Sequence, residues 1–198
     1  MQHPDVFAFL SQRRSARPAM LSEPGPSAEQ IRQILTIASR VPDHKKLAPW
    51  RFLTFAGTAR ADFGDVLVDA LSEEQPEACT AGRLLTERER LTRAPLVIAA
   101  ILSPKRTDVV PAQEQTLSAG AACLNLCLAA NAMGFATAWL TEWYSYSPGV
   151  ASALGLADHE CVAGFIYVGS SAEPQADRDR PELDTIVSAW SRPLTRMD

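Results

Sequence analysis

The sequence predicts an α+β or α/β sandwich in which helices cover a sheet. Three observations carry that expectation. Apolar runs of strand length interleave with segments of helical periodicity along the whole chain, four of the first kind and at least five of the second. No internal repeat divides them. The composition, 46% hydrophobic and 21% charged over 198 residues, is that of a globular chain. It fits one domain spanning 1–198, or one that completes its core by dimerising.

Residues 6–13 read as a short amphipathic helix that delivers Arg13, Arg14 and Ser15 at its end, before Arg17-Pro18 breaks it. The next helix starts at Ser27. Ser27-Ala-Glu-Gln30 is a capping-box pattern, and Ile31, Ile34, Leu35 and Ala38 follow at helical spacing. That helix ends at Arg40 or Val41, before Pro42. Phe52–Ala56 reads as a strand stopped by Gly57, and Thr58 as the cap of a helix to about Ser72. A charged helix is expected from Glu77 to Arg93, exposed and of little individual meaning. Leu96–Leu102 is a continuous apolar run, the pattern of a strand buried on both faces.

Gln113–Met133 is the longest helix candidate, rich in Ala and Gly and stopped by Gly134. Asn125, Asn131 and Ser118 interrupt it, so a buried central helix is preferred to a membrane span. Its small residues would also suit a subunit interface. Phe135–Leu140 reads as strand and 141–144 as loop. Ser147-Pro148 opens a short helix. Val162–Gly169 is the fourth strand, 173–181 an irregular polar stretch, and Leu183–Trp190 a last short helix.

The stretch from Arg40 to Phe52 lies between a patterned helix and an apolar strand. Prolines 42 and 49 preclude a continuous helix, so Asp43, His44 and Lys45 fall on a loop held rigidly at both ends. Loops pinned in this way often carry binding groups. A solvated connector anchored by Trp50 is the plainer alternative.

A net charge of −4 disfavours a nucleic-acid binder. The four cysteines, at 79, 123, 127 and 161, include no CxxC pair, and Cys123 and Cys127 belong to an apolar helix stripe. No N-terminal export signal is read, so reduced thiols and a cytoplasmic location are expected, with no membrane partner. The histidines at 3, 44 and 159 show no metal spacing, and His159-Glu160 reads as a surface pair.

Four places collect anion-binding groups: Arg13-Arg14-Ser15, Arg40 with His44-Lys45, Trp139-Leu140-Thr141, and Arg178 with Arg180. Each adjoins the end of a regular element. A phosphate monoester needs several donors, and arginine forks with a hydroxyl at a helix end meet that need. Each cluster alone is more commonly a solvated ion pair. Phosphate-loop and dinucleotide glycine motifs are absent, as is any nucleophile-elbow serine. Little points to side chains doing acid–base or nucleophilic work. An organic cofactor that carries the reaction itself fits that pattern.

The ordered set of these pieces resembles the nitroreductase family of FMN-dependent oxidoreductases over nearly the whole length. The pieces are Arg13-Arg14-Ser15-Ala16-Arg17, Pro42-Asp43-His44-Lys45 through Pro49-Trp50-Arg51-Phe52, Ser118-Ala119-Gly120, Met133-Gly134-Phe135, Trp139 to Thr141, and Gly164-Phe-Ile-Tyr-Val-Gly169. The Pro-Asp-His-Lys…Pro-Trp form is similar to a short, minimal subgroup. The resemblance implies an α+β fold with a central, mainly antiparallel sheet covered by helices, in a domain-exchanged homodimer with two interfacial FMN sites. It implies reduction by NADH or NADPH, then transfer to nitroaromatics or quinones in a ping-pong cycle. Carried over by position, Arg13, Arg14 and Ser15 would contact FMN phosphate and pyrimidine edge. Arg40 and His44 would contact it from the partner subunit, and Trp139, Leu140 and Thr141 would line the isoalloxazine ring. Arg178 and Arg180 occupy the place of basic phosphate ligands. Leu140 departs from the polar or basic residue expected in that subgroup, so contact there would be through backbone alone. Arg17 sits off the expected register and is not assigned. A non-catalytic FMN-binding redox sensor or flavin carrier is the main alternative. A small-anion-binding structural subunit and a flavin enzyme of dehalogenation or ring fragmentation are two others.

Overall fold

In the computed structural model, residues 4–173 and 175–191 are described. His3 and position 174, within the 173–181 stretch, lie outside them. Four strands form one antiparallel sheet in the order β1-β2-β4-β3: β1 Trp50–Ala56, β2 Leu96–Leu102, β3 Ala136–Leu140 and β4 Cys161–Gly169. Every neighbouring pair is antiparallel, with Trp50 opposite Leu102 and Trp139 opposite Ile166.

The side-chain period of two sends alternate residues to opposite faces. On one face Val97, Ala99, Ile101, Phe165 and Tyr167 pack with Phe63, Leu67 and Ala70 of α3 (Ala59–Glu74) and with Tyr144 and Val150. On the other, Leu96, Ile98, Ala100, Ile166 and Val168 meet Ile34 and Ala38 of α2 (Ala28–Ala38). Cys123, Leu126, Cys127 and Ala130 of α5 (Ala112–Ala132) complete that layer. The apolar run of β2 is thus covered on both sides, as expected. Because helices supply both covers, an antiparallel strand here shows the unbroken pattern usual for parallel ones.

Local signals explain most element ends. Ser27 and Gln30 form the reciprocal capping box of α2. Ser147 caps α6 (Pro148–Ala153) by accepting from Val150 N–H. Thr58 stands at the start of α3 but makes no side-chain cap there. The first helix, α1, spans Pro4–Gln12. Cys123 and Cys127 are core residues, and burial pushes the Cys123 thiol up to about 12.

Three expectations are corrected. The charged segment 77–93 is not one exposed helix. It contains α4 (Ala81–Arg88), capped by Thr80, between single 3-10 turns at Pro76–Ala78 and Leu91–Arg93. Nor is it without meaning, because Glu87 is fully buried and bonded to Arg83, Arg90 and Trp143. Pattern reading places acids outside and cannot see a partner on a distant element.

The last helix, α7, covers only Leu183–Ile186, and Val187 is extended. One turn has no packing from its own chain to pull it longer; Leu183, Ile186 and Val187 all lie exposed. Finally, Glu160 is no surface residue. Its side chain is 8% exposed and takes Nε and Nη2 bonds from Arg51 at 2.9 and 2.7 Å. Those bonds hold its carboxyl down at about 2. Among the described residues no helix is long and apolar enough to cross a membrane, and no group of three or more His, Cys, Asp or Glu residues could hold a metal ion.

Candidate functional site

Arg13 and Arg14 leave the C-terminal end of α1, where Arg13 N–H still bonds Phe9 C=O at 3.0 Å. The chain then docks on the sheet through Ala16 N–H to Thr137 C=O, 2.8 Å. This places both guanidiniums in a cavity of about 310 Å³, with Phe9, Asn131 and Phe135 on its walls. Arg14 Nε donates to Ala176 C=O at 2.9 Å and stands 3.5 Å from Asp177. That contact sets Ala176 and Asp177 against Arg14, beside the cavity that Glu173 and Gln175 also line. Arg180 lies 3.5 Å from Asp177, and Arg178 is exposed beside it. Ser15 is exposed between Arg14 and Ala16.

Asn131 donates through Nδ2 to Phe135 C=O and Thr137 Oγ1, but its buried Oδ1 has no donor among the described residues. A buried amide oxygen left so is costly unless something else donates to it. Two arginines lining one cavity suit an anionic ligand. The two arginines fit the phosphate of a flavin mononucleotide.

The loop after Pro42 is strained and braced. Lys45, Lys46 and Ala48 all take positive φ, at 63°, 57° and 46°. Each such residue costs on the order of 1–3 kcal/mol. Asp43 offsets part of this: its carboxylate accepts Leu47 N–H at 3.0 Å and Ala48 N–H at 2.9 Å, each bond worth about 1.5–3 kcal/mol. Ser118 Oγ holds Pro42 C=O from α5. The brace presents His44, whose Nδ1 lies 2.8 Å from Glu114 Oε2. A second cavity of about 290 Å³ opens there, lined by both and by Leu117, Ser118 and Ala121. Arg40, at the end of α2, is exposed, and Asn125 Nδ2 donates to its carbonyl at 3.3 Å.

Trp139 and Thr141 end the β3 edge with Leu140 between them. The Trp139 indole donates to Ala163 C=O at 3.1 Å and crosses Gly164 so closely that a Cβ there would lie 2.0 Å from Nε1. Only a glycine admits it, and the ring stays 39% exposed. Two residues on, Glu142 enters a buried cluster with Arg90 and Arg93.

One chain does not bring all these residues together. The Arg13–Arg14 cavity adjoins Asn131 near the end of α5, and β3 begins beside it. The His44 cavity adjoins Glu114 near its start. Seventeen residues of helix separate the two, about 26 Å at 1.5 Å per residue. The predicted set is spread along one helix, with Arg13 and Arg14 at its end, His44 at its start and Arg40 between them beside Asn125. Glu114 and the Glu142 cluster were not anticipated, nor were the roles of Asp43, read only as part of the loop, and of Asn131, read only as a polar break in the helix. Only Asp43, two residues from Lys45 and just after a proline, carried a local signal, as an Asx-type brace.

The nitroreductase family model matches residues 10–170 of this chain. A relative in Escherichia coli strain K12, provisionally named NAD(P)H nitroreductase YdjA, is 34% identical over 168 residues, covering 84% of this chain and 88% of the relative. A crystal structure of a nitroreductase-like protein from Bacillus cereus superposes with a TM-score of 0.81 at 18% identity, over 96% of this chain and 98% of the other. Another, from Desulfovibrio desulfuricans and described provisionally as a nitroreductase in complex with FMN, gives a TM-score of 0.70 at 26% identity, over 98% and 100%.

Proposed function

The chain belongs to the nitroreductase family, and on that premise we propose that it is an FMN-dependent oxidoreductase working as a homodimer. It takes electrons from NADH or NADPH and passes them to a quinone or nitroaromatic acceptor. The observation that carries this is the cavity lined by Arg13 and Arg14 together. The FMN complex of the D. desulfuricans relative supports the same cofactor.

FMN, when bound, supplies two-electron hydride chemistry. The chain's own residues do the rest. Arg13 and Arg14 neutralise the phosphate. Arg14 Nε is committed to Ala176, so its Nη groups face the ligand and the strap toward Arg178 and Arg180 is tied to the same place. Ser15 adds a hydroxyl. Trp139, Leu140 and Thr141 form a wall that keeps water from the ring, with Leu140 acting through its backbone. Arg40, contributed by the partner subunit with His44 beside it, places positive charge at the edge where negative charge develops on reduction. No side chain is required as proton donor, since water or the acceptor can serve.

What α5 leaves uncovered supports the dimer. Leu117 and Leu124 are exposed, Ala121 and Leu128 lie between and beyond them, and all four share one outward stripe. Ile37 of α2 is also exposed beside the sheet-covering layer, as are Val6, Phe7 and Leu10 of α1. A two-fold axis near Ala121 would set two copies of α5 antiparallel. The His44 end of one then meets the Arg13 end of the other, which joins the two half-sites. The arm over 181–191, exposed throughout, is the segment that exchanges between copies.

The test is a visible absorption spectrum of the purified protein. Flavin bands should appear, bleach on adding NADPH or NADH without oxygen, and return with a quinone or nitroarene. A protein that is colourless and takes up no added FMN would overturn the reading.

A further inference from the structure

We propose that Glu142 is a positioning residue: through Arg93 and Arg90 it fixes the wall formed by Trp139, Leu140 and Thr141. This rests on the reading of that wall as a flavin contact.

β3 is an edge strand and its ladder ends at Leu140. Beyond it no strand partner holds the backbone, and side chains take over. Glu142 Oε1 accepts from Arg90 Nη1 at 3.0 Å. Its Oε2 accepts from Arg93 Nη2 and from the Tyr144 hydroxyl, both at 2.8 Å. Arg93 also donates to the Tyr167 hydroxyl at 3.0 Å and lies over the Tyr167 ring, 4.9 Å from its centre. The Tyr144 and Tyr167 hydroxyls are 2.8 Å apart, and both side chains are fully buried. Trp143 Nε1 donates to Glu87 at 3.0 Å, and Glu87 grips Arg90. Three consecutive residues, 142, 143 and 144, therefore reach into one cluster anchored on α4, the turn after it and β4.

Burial works against the Glu142 charge, but the bonds from Arg93 and Tyr144 and the two guanidinium charges hold its carboxyl below the usual range. Burial likewise opposes the Arg93 charge, and the bonds to Glu142 and Tyr167 outweigh it. Ion pairs desolvated this far are poor stabilisers compared with apolar packing of similar volume. Their directional bonds do fix one geometry. On the opposite face of the sheet the Trp139 ring is pinned across Gly164. The wall is thus held from both sides before any ligand arrives. Hydride transfer rewards such preorganisation, because a 1 Å misplacement costs up to about 100-fold in rate.

The experiment uses FMN-loaded protein. Glu142→Gln keeps the shape and removes the charge; Glu142→Asp keeps the charge and is one methylene short. At saturating FMN, both should slow flavin reduction by NADPH in stopped-flow on the order of tenfold. Both should also change the visible circular dichroism of the bound flavin, a signal that lost stability alone does not move. If both variants melt earlier but keep the wild-type rate constant and flavin dichroism, the cluster is structural only and the proposal fails. Should they not fold, Tyr144→Phe removes one bond to Glu142 without touching charge. It should move both readouts the same way, less far, and unchanged readouts overturn the proposal. A wild-type protein that takes up no FMN defeats the flavin reading itself, and is told apart by flavin content before any variant is made.

Discussion

At the scale of single residues, Arg14 is the sharpest test of the cavity. It is anchored by Ala176 and shares its space with Arg13. Arg14→Ala should weaken FMN binding by about 10- to 150-fold, the equivalent of one charge-assisted contact of about 1.5–3 kcal/mol. Titration of apoprotein into FMN, followed by flavin fluorescence, measures it, and undiminished affinity would remove Arg14 from the site. The sequence placed Arg13 and Arg14 side by side after a helix, and in the structure both line one cavity. The roles of Asn131 and Glu114 were not legible there. Each is one polar residue inside a long helix, and its meaning lies in a group with no counterpart nearby: a donor missing among the described residues for Asn131 Oδ1, and His44, 70 positions away, for Glu114.

At the scale of elements, the Arg51–Glu160 pair ties β1 to the turn before β4, across β2. Glu160 has a folded-state value of about 2, set first by the Arg51 bond, against an ordinary 4.5. A depressed carboxylate stabilises the fold above its unfolded value and loses that contribution as pH falls through the folded one. Stability should therefore drop between pH 4.5 and 2, and Glu160→Gln should flatten that part of a melting-temperature profile. At neutral pH the variant should lose on the order of 1–2 kcal/mol, reduced from a fully buried pair because Arg51 is about a third exposed. A profile as steep as wild type would exclude this pair as the cause. Strands and long helices were readable here because period and caps are local. The breaks in 77–93 and the short α7 were not, because a buried Glu87 and an exposed arm are decided by distant or separate surfaces.

At the scale of the whole molecule, the sandwich followed from interleaved patterns, and its antiparallel order from resemblance and not from the residues. The separation of His44 from Arg14 along α5 was invisible in the linear order, since a helix turns sequence distance into length only once its ends are known. That separation has a genetic consequence. If each site draws Arg14 from one copy and His44 from the other, two crippled proteins can rescue each other. A hybrid of an Arg14→Ala chain and a His44→Ala chain would hold one doubly damaged pocket and one intact pocket. Co-expressed with different tags and isolated as the mixed pair, it should carry close to half the native flavin, where either parent alone carries little.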